Sequence, residues 1–211
     1  AFVCFRDLLP GTSLFLTDNG YERSFASVWG GTEGVLTITR TGSILPKGTI
    51  IVIETLNAGG VTTSSQFNVY TCGSIDANWT KSAISGVGVG GFAINSDDDI
   101  YFMQGGVWNN DTAHNSTYTG NVLYGWTESG WQTTPGDGLC VPSGSGSDGC
   151  TRWSTLFPGM ECFNTVAPAG SGRVKFDDPD TIDFTSVTRG KFDWIALINN
   201  QTNWDSYGSI A

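Results

Sequence analysis

Chemistry in this chain would have to come from its carboxylates, its thiols and a single imidazole. Asp97, Asp98 and Asp99 stand in a row at the start of an apolar run. A short loop crowded with oxygens is what a hard cation such as calcium requires, and the same row also describes a solvated turn before a strand. A second acidic group, Asp177, Asp178, Asp180 and Asp183, surrounds Pro179 and reads as a surface turn. Two carboxylates held roughly 5 to 10 Å apart in a cleft would serve glycoside hydrolysis, yet nothing in the sequence builds that cleft. The imidazole, His114, lies in the polar stretch NDTAHNSTY, and no GxSxG nucleophile elbow occurs. The expectation is a protein that is not an enzyme.

The thiols point the same way. Cys4, Cys72, Cys140, Cys150 and Cys162 include no CxxC pair, so a zinc site is poorly supported and disulfides are expected instead. Cys140 and Cys150 bracket the turn-rich VPSGSGSDG, which suits a local bridge; a second bridge among Cys4, Cys72 and Cys162 would join distant strands and leave one cysteine over. Sequons at Asn78, Asn110, Asn115 and Asn200 are candidates for N-linked glycans. Among the eight tryptophans, Trp126, Trp131 and Trp153 sit in loop context as candidates for sugar or subunit contacts, and Trp194 is expected to pack inward.

The elements that must position these groups are strands. Apolar runs rich in β-branched and aromatic residues cover Phe2 to Phe5, Ser13 to Thr17, Gly34 to Thr39, Thr49 to Glu54, Phe67 to Tyr70, Asp99 to Gln104, Val107 to Trp108 and Asn121 to Trp126, each bounded by Gly, Pro or Asn turn signals. A long Gly/Ser/Trp-containing loop is expected over about 127–170. One short helix follows at about 189–200, where Lys191, Phe192, Ile195, Ala196 and Leu197 share a face and Thr188 is placed as its N-cap. The tail from Asn203 would close as an edge strand or a cover. This predicts one all-β domain over 1–211, an immunoglobulin-like β-sandwich.

Charge narrows the partners. Lys and Arg number 10 against 20 Asp and Glu, a net charge of −10 with only 14% charged residues. Such a chain repels nucleic-acid phosphates and anionic lipid, and no apolar run reaches the roughly 18 to 20 residues that span a bilayer. A surface built from Ser, Thr, Asn and Gly suits a protein outside the cell.

The segments RDLLPGTSLFLTDNGY, TEGVLTITRTGSILPKGTIIVIETL and SDDDIYFMQGG resemble a family of secreted β-sandwich domains found in bacteria and some algae. The shared features are Pro10-Gly11-Thr12, Thr17-Asp18-Asn19, Glu33-Gly34, Gly48-Thr49, Asp98-Asp99 and Gln104-Gly105, then Leu156 to Gly159, Ile198 to Asn200 and Asn203-Trp204. The resemblance implies an architecture and an extracellular location and carries no catalytic residues. Family members open with an additional strand ahead of the segment matching Ala1 to Phe5. That strand either lies outside this sequence or is supplied by another chain, as in donor-strand complementation. The resulting expectation is a structural subunit of an extracellular, pilus-like fibril that polymerises with copies of itself by β-strand exchange, with Phe2, Val3, Cys4 and Phe5 as exchange candidates. The alternative is a secreted carbohydrate-binding or adhesive module, calcium-dependent if the aspartates ligate. No cofactor beyond calcium and N-linked glycans is implied.

Overall fold

In a computed structural model of the chain, the structure describes all residues except 23–27, 58, 87–89, 95–97, 111–115, 128–129, 132–153, 167–173, 177–189 and 207–211. The strands are β1 (Phe2–Val3), β2 (Ser13–Thr17), β3 (Tyr21–Glu22), β4 (Val28–Trp29), β5 (Val35–Arg40), β6 (Ile50–Thr55), β7 (Phe67–Thr71), β8 (Ser74–Ile75), β9 (Trp79–Ile84), β10 (Asp99–Gln104), β11 (Trp108–Asn109), β12 (Thr117–Tyr118), β13 (Asn121–Thr127), β14 (Asn164–Val166), β15 (Val174–Phe176) and β16 (Trp204–Ser206), with one helix, α1 (Lys191–Asn199).

Two sheets face each other. One has the order β1-β6-β7-β8 and the other β14-β13-β10-β2-β5-β9. Every pairing within them is antiparallel except β13 with β14. Strand residues alternate between faces, so Leu14 of β2 and Leu36 and Ile38 of β5 face Ile51 of β6 and Phe67 and Val69 of β7 in the inter-sheet core, joined by Cys4, Leu45, Val61, Trp79 and Phe92. The expected all-β sandwich with one short helix is what forms.

The six-stranded sheet also buries its other face. Phe15, Val35, Tyr101 and Met103 pack there against Tyr21, Trp29 and Trp108, carried by the small pairs β3–β4 and β11–β12. Trp29 is the hub, with ring centroids 4.9 Å from Tyr101, 5.0 Å from Tyr21 and 5.7 Å from Trp108. Burial on both faces explains why apolar residues stand side by side at Leu14-Phe15-Leu16 in β2 and Val35-Leu36 in β5, where alternation alone would place one apolar residue in two.

Gly34 shows how tightly the layers meet: a Cβ there would lie 2.1 Å from the Phe92 backbone nitrogen. Arg40, 3% exposed, ends β5 and holds the turn before β9 through an ion pair to Asp76 at 2.6 Å and a hydrogen bond to the Ser43 carbonyl. Burial alone would raise the Asp76 pKa. Hydrogen bonds donated by Asn78, Thr71 and Arg40 outweigh it and hold the carboxyl at about 2.

Several expectations need correction. The stretch about 127–170 is not one loop throughout: Thr155 pairs by backbone with Tyr21, and β14 adds in parallel to β13. β9 has no counterpart among the expected strands because only Trp79 in WTKSAI is buried, as befits an edge strand. The helix begins at Lys191 with Gly190 as N-cap, whose N–H donates to the Asp193 carboxylate at 2.8 Å; Thr188 lies outside the described residues. Ile195 is its buried residue, Trp194 is half-buried and Phe192 is 73% exposed.

Cys4, Cys72 and Cys162 are free thiols, so the expected bridge among them is absent. The register gives the reason. Cys4 and Cys72 continue β1 and β7, which flank β6, and strands two places apart are separated by about 9.5 Å, beyond the roughly 7 Å limit between Cα atoms for a disulfide. Cys140 and Cys150 lie outside the described residues.

Candidate functional site: the open edge of the four-stranded sheet

β6 carries six residues, IIVIET, and β7 covers its whole length on one side through five rungs from Ile51↔Thr71 to Thr55↔Phe67. On the other side β1 supplies only Phe2↔Ile51 and Val3↔Ile50. The Cys72 N–H bonds to the Ile50 carbonyl and the Leu56 N–H to the Gln66 carbonyl. Backbone groups in an antiparallel ladder point alternately left and right, so Ile50, Val52, Glu54 and Leu56 bond toward β7. Ile51, Ile53 and Thr55 therefore point toward the side of β1. Phe2 takes up Ile51; among the described residues no group bonds to the N–H and C=O of Ile53 and Thr55.

This edge has distinct faces. Inward, Ile53 is only partly buried, and the neighbouring inward position is filled by Phe2, whose ring lies 4.4 Å from that of Phe102. Outward, Glu54 accepts hydrogen bonds from the Tyr70 hydroxyl at 2.6 Å and the Asn68 amide at 3.2 Å. These bonds hold the Glu54 carboxyl below its ordinary pKa. Beside them is a hollow of about 550 Å³ lined by Val52, Ile53, Glu54, Thr55, Tyr70 and Gly73. The outer face is apolar at Ile50 and Ile75, 53% and 63% exposed.

The residues singled out from sequence fall elsewhere. Phe2 and Val3 pair within their own sheet and Cys4 is buried beneath it, so these three build one wall of the open edge; Phe5 sits in the bend that follows. Asp97 lies outside the described residues, and Asp98 and Asp99 are buried at 6% and 0% exposure. Among the described residues no three potential ligands gather where they could hold a metal ion.

Asp99 belongs to a buried polar lock that sequence reading missed. Its carboxylate accepts the Ser154 N–H at 2.9 Å, while the Tyr101 hydroxyl donates to the Thr155 carbonyl at 2.7 Å and the Tyr21 N–H donates to the Ser154 hydroxyl at 2.7 Å. Oδ1 of Asp99 is buried without a partner, as is Oδ1 of Asp18, whose other oxygen accepts the Ala93 N–H at 2.7 Å. Burial pushes the Asp99 carboxyl up to about 8 and raises Asp18 well above the ordinary range. Nothing in spacing would have found this lock, because residues 99 and 154 meet only through folding.

Two of the sequon asparagines already have their amides engaged: Asn78 donates to Asp76 at 2.8 Å, and Asn110 donates to the Ser85 carbonyl at 2.7 Å. Asn200 is exposed and its side-chain oxygen accepts from Thr202 of the same sequon. Asn115 and His114, the acidic group Asp177, Asp178, Asp180 and Asp183, and Trp153 lie outside the described residues. Trp126 and Trp131 are half-buried, and Trp131 donates to Asn164 and leans on Tyr101.

No helix among the described residues is long and apolar enough to cross a membrane. Comparison with models of known protein families, with curated proteins and with solved structures finds no match to this chain.

Proposed function

We propose that this chain is a structural subunit of an extracellular fibre in which a strand from one copy completes the four-stranded sheet of the next. One observation carries the reading: β1 pairs with β6 at Ile50 and Ile51, and the N–H and C=O of Ile53 and Thr55, farther along the same edge, bond to no group among the described residues. An unpaired edge of this kind is a template for another chain, and strand addition there supplies main-chain hydrogen bonds for affinity and side-chain contacts for specificity. The extra strand carried by the family this sequence resembles would lie in the line of β1. An extracellular location accords with the low charge content and the surface of hydroxyls and amides.

The test is electron microscopy and sedimentation velocity on the purified chain, beside Thr55→Pro. Proline removes the Thr55 N–H that faces the open edge and leaves the β7 ladder intact. Filaments or a concentration-dependent ladder of oligomers in the wild type, suppressed by Thr55→Pro, are expected. A wild type that stays monomeric from micromolar to millimolar concentration overturns the reading.

A further inference from the structure

We infer that Asp18 and Asp99 are a pair of proton-operated latches: each, as a neutral acid, holds down a segment that caps one of the two cores, and losing the proton frees that segment while the rest of the sandwich stays folded. The inference is independent of the fibre reading. It starts from position. β2 and β10 are neighbours with Thr17 opposite Tyr101, so Asp18, directly after β2, and Asp99, the first residue of β10, stand at the same end of the six-stranded sheet. Both are buried, at 1% and 0% exposure, and each has one carboxyl oxygen, Oδ1, that has no hydrogen-bond partner.

Each carboxyl grips a distant segment by its backbone. The Ala93 N–H donates to Asp18 at 2.7 Å. The residue before it, Phe92, is 1% exposed in the inter-sheet core and is bonded in both directions to Val61. The Ser154 N–H donates to Asp99 at 2.9 Å. From there the chain runs through Thr155, whose N–H bonds to the Tyr21 carbonyl, to Phe157, whose ring lies 4.7 Å from Tyr21 and 5.8 Å from Trp29 in the second core. One carboxyl therefore fastens the cap of each core. Both segments are held by isolated bonds instead of a full ladder, which places them among the parts of a fold that open first.

The surroundings decide which form of each acid the closed segment accepts. A charged carboxylate with a bare oxygen is costly in the interior, where the neutral acid is not. The charges that bear on Asp18 are those of Glu33 and Asp98, and on Asp99 that of Asp98, with the Tyr101 hydroxyl alongside. Each of these is itself an acid, so none of them favours ionisation. The amides of Ala93 and Ser154 and the Thr127 hydroxyl do favour it, and burial outweighs them. Opening returns the carboxyl to water and to its ordinary pKa of 3.8, against about 8 for Asp99 when closed. Between those values the closed state carries a proton that the open state has lost. The equilibrium constant for opening therefore rises about tenfold per pH unit across that window and levels off above it.

The experiment is hydrogen exchange of backbone amides, followed by NMR on the full chain at pH 5, 6 and 7, in wild type, Asp18→Asn and Asp99→Asn, with circular dichroism confirming that each folds. Asparagine keeps an oxygen to accept the amide and carries no charge. In the wild type the protection factors of Ala93, Ser154 and Thr155, corrected for the intrinsic pH dependence of exchange, are expected to fall about tenfold per pH unit and to lie below those of Leu36 and Ile38 in β5 throughout. Asp99→Asn is expected to flatten the Ser154 and Thr155 profiles and leave that of Ala93 sloping, and Asp18→Asn to do the reverse. Protection that does not change with pH in the wild type overturns the inference whether or not the variants fold. A slope that survives in the matching variant overturns it too, as does protection equal to that of β5, which makes the opening a global one. Millimolar calcium that restores protection at pH 7 in the wild type and not in the variants also overturns it, because the bare oxygens are then metal ligands.

Discussion

Replacing Asp99 by asparagine should make the protein more stable in alkaline solution and remove a component of its pH dependence. Asp99 is 0% exposed, has an Oδ1 with no partner and lies close enough to Asp98 and Tyr101 for their charges to act on one another. Its carboxyl titrates at about 8 in the folded chain against 3.8 ordinarily. A folded pKa above the unfolded one means that the native state holds the proton more tightly. The full stability is therefore present below about pH 4 and drains away as the pH rises through 8. At about 1.36 kcal/mol for each unit of pKa difference, the loss between pH 5 and pH 9 is about 4 kcal/mol.

The carboxamide introduced by Asp99→Asn keeps an oxygen to accept the Ser154 N–H and carries no charge, so the loss should vanish in that variant. Urea unfolding followed by tryptophan fluorescence at pH 5, 7 and 9 measures this directly. Asp18 is buried in both proteins and cancels from the difference. A gap between wild type and Asp99→Asn that grows steadily from pH 5 to 9 is the expected result. A gap that is constant over that range would show that Asp99 is already ionised at pH 5, and would refute the reasoning about its burial.

Other outcomes follow from the same structure. Asp76→Ala leaves the guanidinium of Arg40, 3% exposed, without its counter-charge, and should cost about 3 to 5 kcal/mol in denaturant unfolding. Because Asp76 is held at about 2, its contribution is present above about pH 4 and is lost as the pH falls through 2, so the wild type and Asp76→Ala should converge in acid. Trp29→Ala empties the hub of the second core and should cost about 3 to 5 kcal/mol by the same assay. Gly34→Ala drives a Cβ into the Phe92 backbone and should lower the melting temperature more than Gly48→Ala, where a Cβ meets nothing within 4 Å and only the φ of +86° opposes the side chain. Cys72 is exposed and should react with a maleimide in the native state, whereas buried Cys4 should react only on unfolding.

Period-two alternation and turn residues carried most of the fold. SLFLT between Gly11 and Asn19, and DIYFMQ before Gly105-Gly106, are strands in any environment that offers an apolar surface, and both appear with the expected bounds. β9 was illegible because WTKSAI is an edge strand with a single buried residue. The run Val107 to Trp108 anticipated β11 in part, whereas the two-residue strands β3, β4 and β12 were illegible because tertiary packing around Trp29 and Trp108, more than any local pattern, holds them extended.

The candidate site divides in the same way. Net charge belongs to composition alone, since −10 acts at a distance whatever the fold. Patterning determined an all-β sandwich, since alternation decides which face of each strand avoids water. Only the tertiary structure decided that Phe2 and Val3 pair with Ile51 and Ile50, that Asp99 meets Ser154 and that Cys4 misses Cys72. Each of these depends on register between segments distant in the chain. Register is chosen by the joint burial of two faces and the pairing of backbone groups across strands, quantities that no single stretch of sequence contains.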